Sequence, residues 1–183
     1  MCDKRELRRR FSALRAAARS PEADRLILKN LMHSPFWEAD SFFVYHAVGT
    51  EAGTAEIIAA LRAAGKTVRL PRICGGVMLA APYGKLETGA YGIPAPAEGE
   101  DAPCEVALAP LLAADGEGYR LGYGGGYYDA YFAAHPGVAR VGLCYEAQRT
   151  DRLPHEAHDV PLQAVVTERG VVLFEDGSPA RRG

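Results

Sequence analysis

The 183-residue sequence is short of patterned cysteine, of long apolar runs and of net charge, and each shortage removes a class of protein. Cys2, Cys74, Cys104 and Cys144 lie far apart with no C-x-x-C pair. That argues against a zinc knuckle or redox dithiol and suits a reducing compartment. The longest apolar run, the nine residues Val106 to Ala114, contains Pro110, and a bilayer span needs about 20. Charges at Asp3, Lys4, Arg5, Glu6, Arg8, Arg9 and Arg10 leave no room for the apolar stretch of a secretory signal. The expectation is a cytoplasmic protein with no membrane partner. A net charge of −2 gives no general pull toward nucleic acid. His155 and His158 are three apart between Pro154 and Pro161, so the H-E-x-x-H zinc helix is missing too.

What is present is ordinary globular composition, 48% hydrophobic and 24% charged, which fits one domain. A chain this long buries roughly 70% of its unfolded surface and can form a core without disulfides or a structural metal. Two features stand out. Residues 1 to 19 carry seven basic side chains against Asp3 and Glu6, a local charge of +5 that leaves −7 for the rest. Glycine reaches 20, four of them between Leu121 and Tyr127.

Leu7, Phe11, Leu14 and Ala18 recur at helical spacing, which predicts a first helix with one apolar stripe among arginines. A second helix starts at Ser20, an N-cap followed by Pro21 and Glu22, and runs to about Met32. Ser41 to His46 reads as a buried strand, a helix capped by Thr54 ends at Gly65, and Lys66 to Leu70 alternates as the next strand. Strand, helix, strand at this spacing is the unit of a parallel sheet. Further strands are predicted at 77–81, 105–109, 138–144, 163–167 and 171–174, with a helix from Tyr127 to Ala134. The segment Tyr83 to Pro103, rich in Gly, Pro and Glu, is too long for a bland connection. The reading is α/β: a single three-layer αβα domain over 1–174 with a mostly parallel sheet, and a flexible tail over 175–183.

The run Arg120-Leu121-Gly122-Tyr123-Gly124-Gly125-Gly126-Tyr127-Tyr128-Asp129 lies between a strand and a helix. Three consecutive glycines bare the backbone and permit positive φ, which suits phosphate at a helix N-terminus. A glycine-rich tight turn fits the composition as well. Arg120 adds a planar cation for phosphate oxygens and Asp129 a carboxylate suited to magnesium. It is not a Rossmann fingerprint, which needs glycine where Tyr127 stands, and the only Gly-Lys-Thr, at 65 to 67, is preceded by Ala60 where a P-loop needs glycine.

Six pieces in order resemble the 5-formyltetrahydrofolate cyclo-ligase family: Lys4-x-x-Leu7-Arg8; Glu51-x-x-Thr54; Gly65-Lys66 with Leu70-Pro71-Arg72; Tyr91-Gly92-Ile93 with Pro96; Arg120 to Asp129; and Leu153-Pro154 with His158-Asp159, closed by Val166-Thr167-Glu168. The resemblance implies a Rossmann-like fold of the kind shared with phosphosugar isomerases and CoA-transferases. It implies a monomer that uses ATP and Mg2+ to close 5-formyltetrahydrofolate, with or without a polyglutamate tail, to 5,10-methenyltetrahydrofolate, releasing ADP and phosphate. It assigns ATP contacts to Lys4, Arg8 and the run Arg120 to Tyr128. Arg120 and Tyr127 are the catalytic candidates, with the Tyr128 hydroxyl an open alternative to that of Tyr127. Magnesium goes to Asp129 and Asp159, and folate to His46, Glu51 and Tyr91. Arg5, Arg9, Arg10, Arg15 and Arg19 receive no specific role and are expected on the surface or as a general attraction for two anionic ligands.

Overall fold

The computed structural model describes residues 3–174. The expected tail at 175–183, and Cys2, lie outside the described residues. Helix α1 (Lys4–Ala18) starts at Asp3, whose side chain accepts the Arg5 N–H at 3.0 Å. Helix α2 (Pro21–Met32) starts at Ser20, which accepts the Ala23 N–H at 3.0 Å and sets Pro21 where a missing donor costs nothing.

Strand β1 (Ser41–Val44), helix α3 (Ala55–Ala63) and strand β2 (Thr67–Cys74) form the expected parallel unit, with Gly65 at φ +75° beyond the helix. Thr54 departs from its expected capping role. Its hydroxyl instead accepts the Ala47 N–H at 3.0 Å and pins the loop after β1. Strand β2 outruns the predicted span and continues through Pro71, beyond the residues paired with β1, where that flank no longer needs a backbone donor. Gly75 and Gly76, at φ +57° and +81°, then turn the chain into β3 (Val77–Pro82), antiparallel to β2. Two left-handed residues in a two-residue loop match the twist of a hairpin.

The long 83–103 segment holds a small ribbon of β4 (Leu86–Thr88) and β5 (Pro94–Pro96). After β6 (Val106–Ala109) comes a second ribbon, β7 (Ala113–Ala114) with β8 (Arg120–Leu121), which leads into helix α4 (Tyr127–Ala134). Strands β9 (Ala139–Leu143), β10 (Ala164–Thr167) and β11 (Gly170–Leu173) complete the chain.

The main sheet has seven strands in the order β11-β10-β9-β6-β1-β2-β3. Pairs from β10 to β2 are parallel and the two edge strands antiparallel. Successive residues of a strand face opposite layers. Phe42 and Val44 pack with Ile27 and Leu31 of α2 and Ile57 and Leu61 of α3, while Phe43 packs with Tyr131 and Phe132 of α4. These are the three layers the sequence implies. Helix α1 lies apart from them, its Leu7 and Phe11 set against Leu112, Ala113, Leu121 and Leu153. The chain moves outward in one direction from β1 and in the other from β6. Their carboxyl ends therefore open a crevice, the place where open α/β sheets bind ligands.

Candidate active site

A cavity of about 960 Å³ opens at that crevice, and every residue nominated from the sequence lines it: Lys4, Arg8, His46, Glu51, Tyr91, the whole run Arg120 to Asp129, and Asp159. Segments distant in the chain converge because each follows a strand end or rides on α1. His46 and Glu51 sit beyond β1. Arg120 opens β8 just after the ribbon's turn, which is held by buried Asp115: one carboxylate oxygen accepts from Glu117 and Tyr119, the other from Leu153.

The glycine run is shaped from below and from above. Below, Arg120 donates two bonds to Asp129, at 3.0 and 3.1 Å, while its guanidinium lies 5.7 Å from the Tyr128 ring centroid and 5.5 Å from that of Phe132. Asp129 also accepts the Val160 N–H at 3.0 Å. The two side chains assigned separately to phosphate and magnesium are thus partners of one another. Above, the Arg8 Nε donates to the Gly122 carbonyl at 2.9 Å, and a Cβ on Gly124 (φ +100°) would come within 3.3 Å of the guanidinium. Gly126, at φ +69°, takes the N-cap position of α4 without a side-chain cap, so the first N–H groups of that helix have no capping side chain and stand ready for an anion.

At the mouth, Lys4 donates to Glu156 at 2.8 Å and lies 3.9 Å from Asp159. That ammonium holds the Glu156 carboxyl below its ordinary range. Asp159 accepts the Glu156 N–H at 2.8 Å. Among the described residues no cluster of three or more His, Cys, Asp or Glu could cage a metal. One carboxylate with ligand oxygens and water is the setting magnesium commonly takes, and Asp159 fits it. Asp129, engaged by Arg120 and Val160, fits it less well.

Tyr91 is 76% exposed and holds a left-handed backbone, φ 58°, which costs a tyrosine of order 1 kcal/mol. Its hydroxyl meets that of Tyr127 at 3.1 Å, with the rings edge to face at 6.4 Å. That bond pushes the Tyr127 phenol up from its ordinary pKa. Tyr128 instead packs on Phe43 and Phe132, and burial raises its phenol further. Of the pair, Tyr127 has the hydroxyl nearer the opening. His46 lines the wall half-buried.

The inner end carries a residue that sequence reasoning left on the surface. Arg15 is only 6% exposed and lines the cavity. It donates to the Thr50 hydroxyl at 3.1 Å and to the Tyr123 hydroxyl, which donates to Glu51 at 2.7 Å. Glu51 is buried and also accepts the Val48 N–H at 2.8 Å. A signal was available: Arg15 lies four residues after Phe11 on the buried stripe and seven after Arg8, so it shares the face of both. The opposite wall, Pro71, Ile73, Met78 and Ile93, is apolar and also went unnominated.

The chain matches the sequence model of the 5-formyltetrahydrofolate cyclo-ligase family over residues 1–168. The 5-formyltetrahydrofolate cyclo-ligase of Mycolicibacterium smegmatis is 32% identical over 148 residues, covering 71% of this chain and 75% of that protein. A probable 5-formyltetrahydrofolate cyclo-ligase of Caenorhabditis elegans is 28% identical over 161 residues, covering 76% and 78%. The NMR structure of the Aquifex aeolicus 5,10-methenyltetrahydrofolate synthetase superposes with a TM-score of 0.82 at 30% identity, covering 98% of this chain and 96% of that one. The family's sequence pattern, its fold and the convergence of its motifs on one cavity agree, and the chain belongs to the 5-formyltetrahydrofolate cyclo-ligase family.

Proposed function

We propose that the protein closes 5-formyltetrahydrofolate to 5,10-methenyltetrahydrofolate at the expense of ATP and magnesium, releasing ADP and phosphate. The observation that carries this is the convergence of two different surfaces on one cavity: a bare glycine backbone beneath Arg8, and a buried carboxylate, Glu51, across from an apolar wall. The first suits a polyphosphate and the second a flat heterocycle with N–H donors.

A formamide carbon is a poor electrophile, and its oxygen cannot leave as oxide. Transfer of the γ-phosphoryl group to that oxygen gives an iminium-like carbon; N10 attacks it and gives up its proton to solvent, the ring closes, and the C–O bond breaks as phosphate departs. Little covalent chemistry is asked of the protein; positioning and charge stabilisation carry the step. Arg8 and the N–H groups at the start of α4 bind phosphate oxygens. Lys4 exchanges Glu156 for a phosphate oxygen at the mouth. Arg120, fixed by Asp129, keeps the glycine run in shape. The Tyr127 phenol, held protonated, donates to the formyl or transferring oxygen. Asp159 would hold magnesium, which supplies charge neutralisation on the polyphosphate. Glu51 accepts from the folate ring donors while His46 and Tyr91 flank the ring.

The test is to follow methenyl absorbance with purified protein, 5-formyltetrahydrofolate and Mg-ATP, omitting each in turn. Product that needs all of them is expected, with no signal once magnesium is chelated. Absence of product from the complete mixture overturns the reading.

A further inference from the structure

We propose that Arg15 is a positioning residue for the folate side of the cavity: through the Tyr123 hydroxyl it fixes the carboxylate of Glu51 and ties it to the glycine run. The inference rests on the cyclo-ligase reading above and extends it to a residue outside the motifs that define the family.

A buried guanidinium needs a counter-charge or a full set of acceptors. Among the described residues, Arg15 has no carboxylate within ion-pairing distance; its acceptors are the hydroxyls of Thr50 and Tyr123. Its counter-charge is Glu51, one hydroxyl away. Arg15, Tyr123 and Glu51 form one neutral unit that spans α1, the glycine run and the loop after β1.

Geometry then assigns the direction of control. Arg15 rises from the stripe that also buries Leu7 and Phe11, and Thr50 holds its Nε. Tyr123, by contrast, is 55% exposed and lies between Gly122 and Gly124, the latter at φ +100°. Its hydroxyl is located by Arg15 on one side and Glu51 on the other. The Arg15 guanidinium also lies 5.5 Å from the Tyr123 ring centroid. Glu51 accepts one bond at each oxygen, from Tyr123 and from Val48. An ionised carboxylate has about four acceptor directions, so this leaves capacity for ligand N–H donors and fixes where it points. Without the bridge, Glu51 can rotate away from those donors, and the glycine run loses its link to the folate subsite.

The test compares Tyr123→Phe, Arg15→Met and the double variant with the wild-type protein. Steady-state kinetics give KM for each substrate, and calorimetry gives Kd for 5-formyltetrahydrofolate without nucleotide. Each single variant is expected to raise the folate KM and Kd about tenfold, the scale of a lost charge-assisted bond, with KM for ATP changed less than twofold. The double variant is expected to match the worse single, because the members act as one unit. Tyr123→Phe keeps the test decisive should Arg15→Met fold poorly, since it removes one hydroxyl and keeps the ring. Unchanged folate affinity, additive losses, or a rise confined to KM for ATP would each overturn the proposal. A wild-type protein that binds 5-formyltetrahydrofolate but makes no product overturns the cyclo-ligase reading alone, and the calorimetric series still decides the role of Arg15.

Discussion

Arg15 and Arg120 line the same cavity and both hold their side chains largely away from water: Arg15 is 6% exposed as a residue, and the Arg120 side chain is 6% exposed within a half-buried residue. They differ in where the balancing charge sits. Arg120 closes on Asp129 through two parallel bonds, so its charge is neutralised inside the protein. Among the described residues Arg15 reaches only hydroxyls, and the charge that balances it belongs to a carboxylate facing the cavity. The first arrangement shapes backbone; the second leaves the ligand side of the site dependent on a network. Burial alone does not say which job an arginine has.

The contrast breaks most visibly if the Arg120 pair proves dispensable. Asp129→Ala leaves the more deeply buried partner, Arg120, without a counter-charge, and should lower stability by about 3–5 kcal/mol. Arg120→Met leaves the better solvated Asp129 and should cost less. For a chain of this size each kcal/mol lowers Tm by roughly 2–4 °C. Calorimetric Tm values that barely move, or a larger loss for Arg120→Met, would show that the pair is not the internal support described here. Turnover should fall with both, because the glycine run loses its base.

Arg8→Ala tests the opposite case, a cation whose one named partner is a carbonyl. Its KM for ATP should rise about tenfold or more while thermal unfolding stays within about 2 °C of wild type. An unchanged KM for ATP would remove Arg8 from the phosphate subsite. Gly124→Ala should act more weakly on the same surface. Its φ of +100° and the 3.3 Å approach to Arg8 make any side chain strained there, at a cost of about 1–3 kcal/mol. A higher KM for ATP, with the folate KM nearly constant, is the expected result.

The glycine run Gly122 to Gly126 was legible from its own composition, because bare backbone and positive φ are local properties. Lys4, Arg8 and the acid after β1 were nominated through the resemblance, since a basic helix face and a loop acid look solvated when read alone. The fold was legible for the same reason at Ser20-Pro21 and Gly65. What sequence could not supply was pairing. The antiparallel edges, the β7–β8 ribbon that delivers Arg120, and the bond between Arg120 and Asp129 all depend on partners distant in the chain or on strand direction, which periodicity does not encode. Arg15 was missed for a related reason: a basic residue among five basic neighbours looks solvated until the stripe it extends is followed past Phe11.

The smallest effect expected is also specific to one of the two arginines. Burial pushes the Tyr123 phenol up to about 12, with Arg15 working against that shift and Glu51 adding to it. A phenol whose folded pKa lies above its unfolded value near 10 stays neutral longer in the native state. Its contribution to stability is complete below pH 10 and is lost as pH rises toward 12. Tyr123→Phe removes this phenol and keeps the ring, so the difference between wild type and variant reads chiefly this group. Denaturant titrations from pH 9 to 12 should show the wild type losing more stability than the variant across pH 10 to 12. Removing Arg15 takes away the influence that lowers this pKa, so the Tyr123 step should move to higher pH in Arg15→Met, while Arg120→Met leaves it in place. A Tyr123 step that shifts with Arg120 rather than with Arg15 would reverse the assignment of the two arginines.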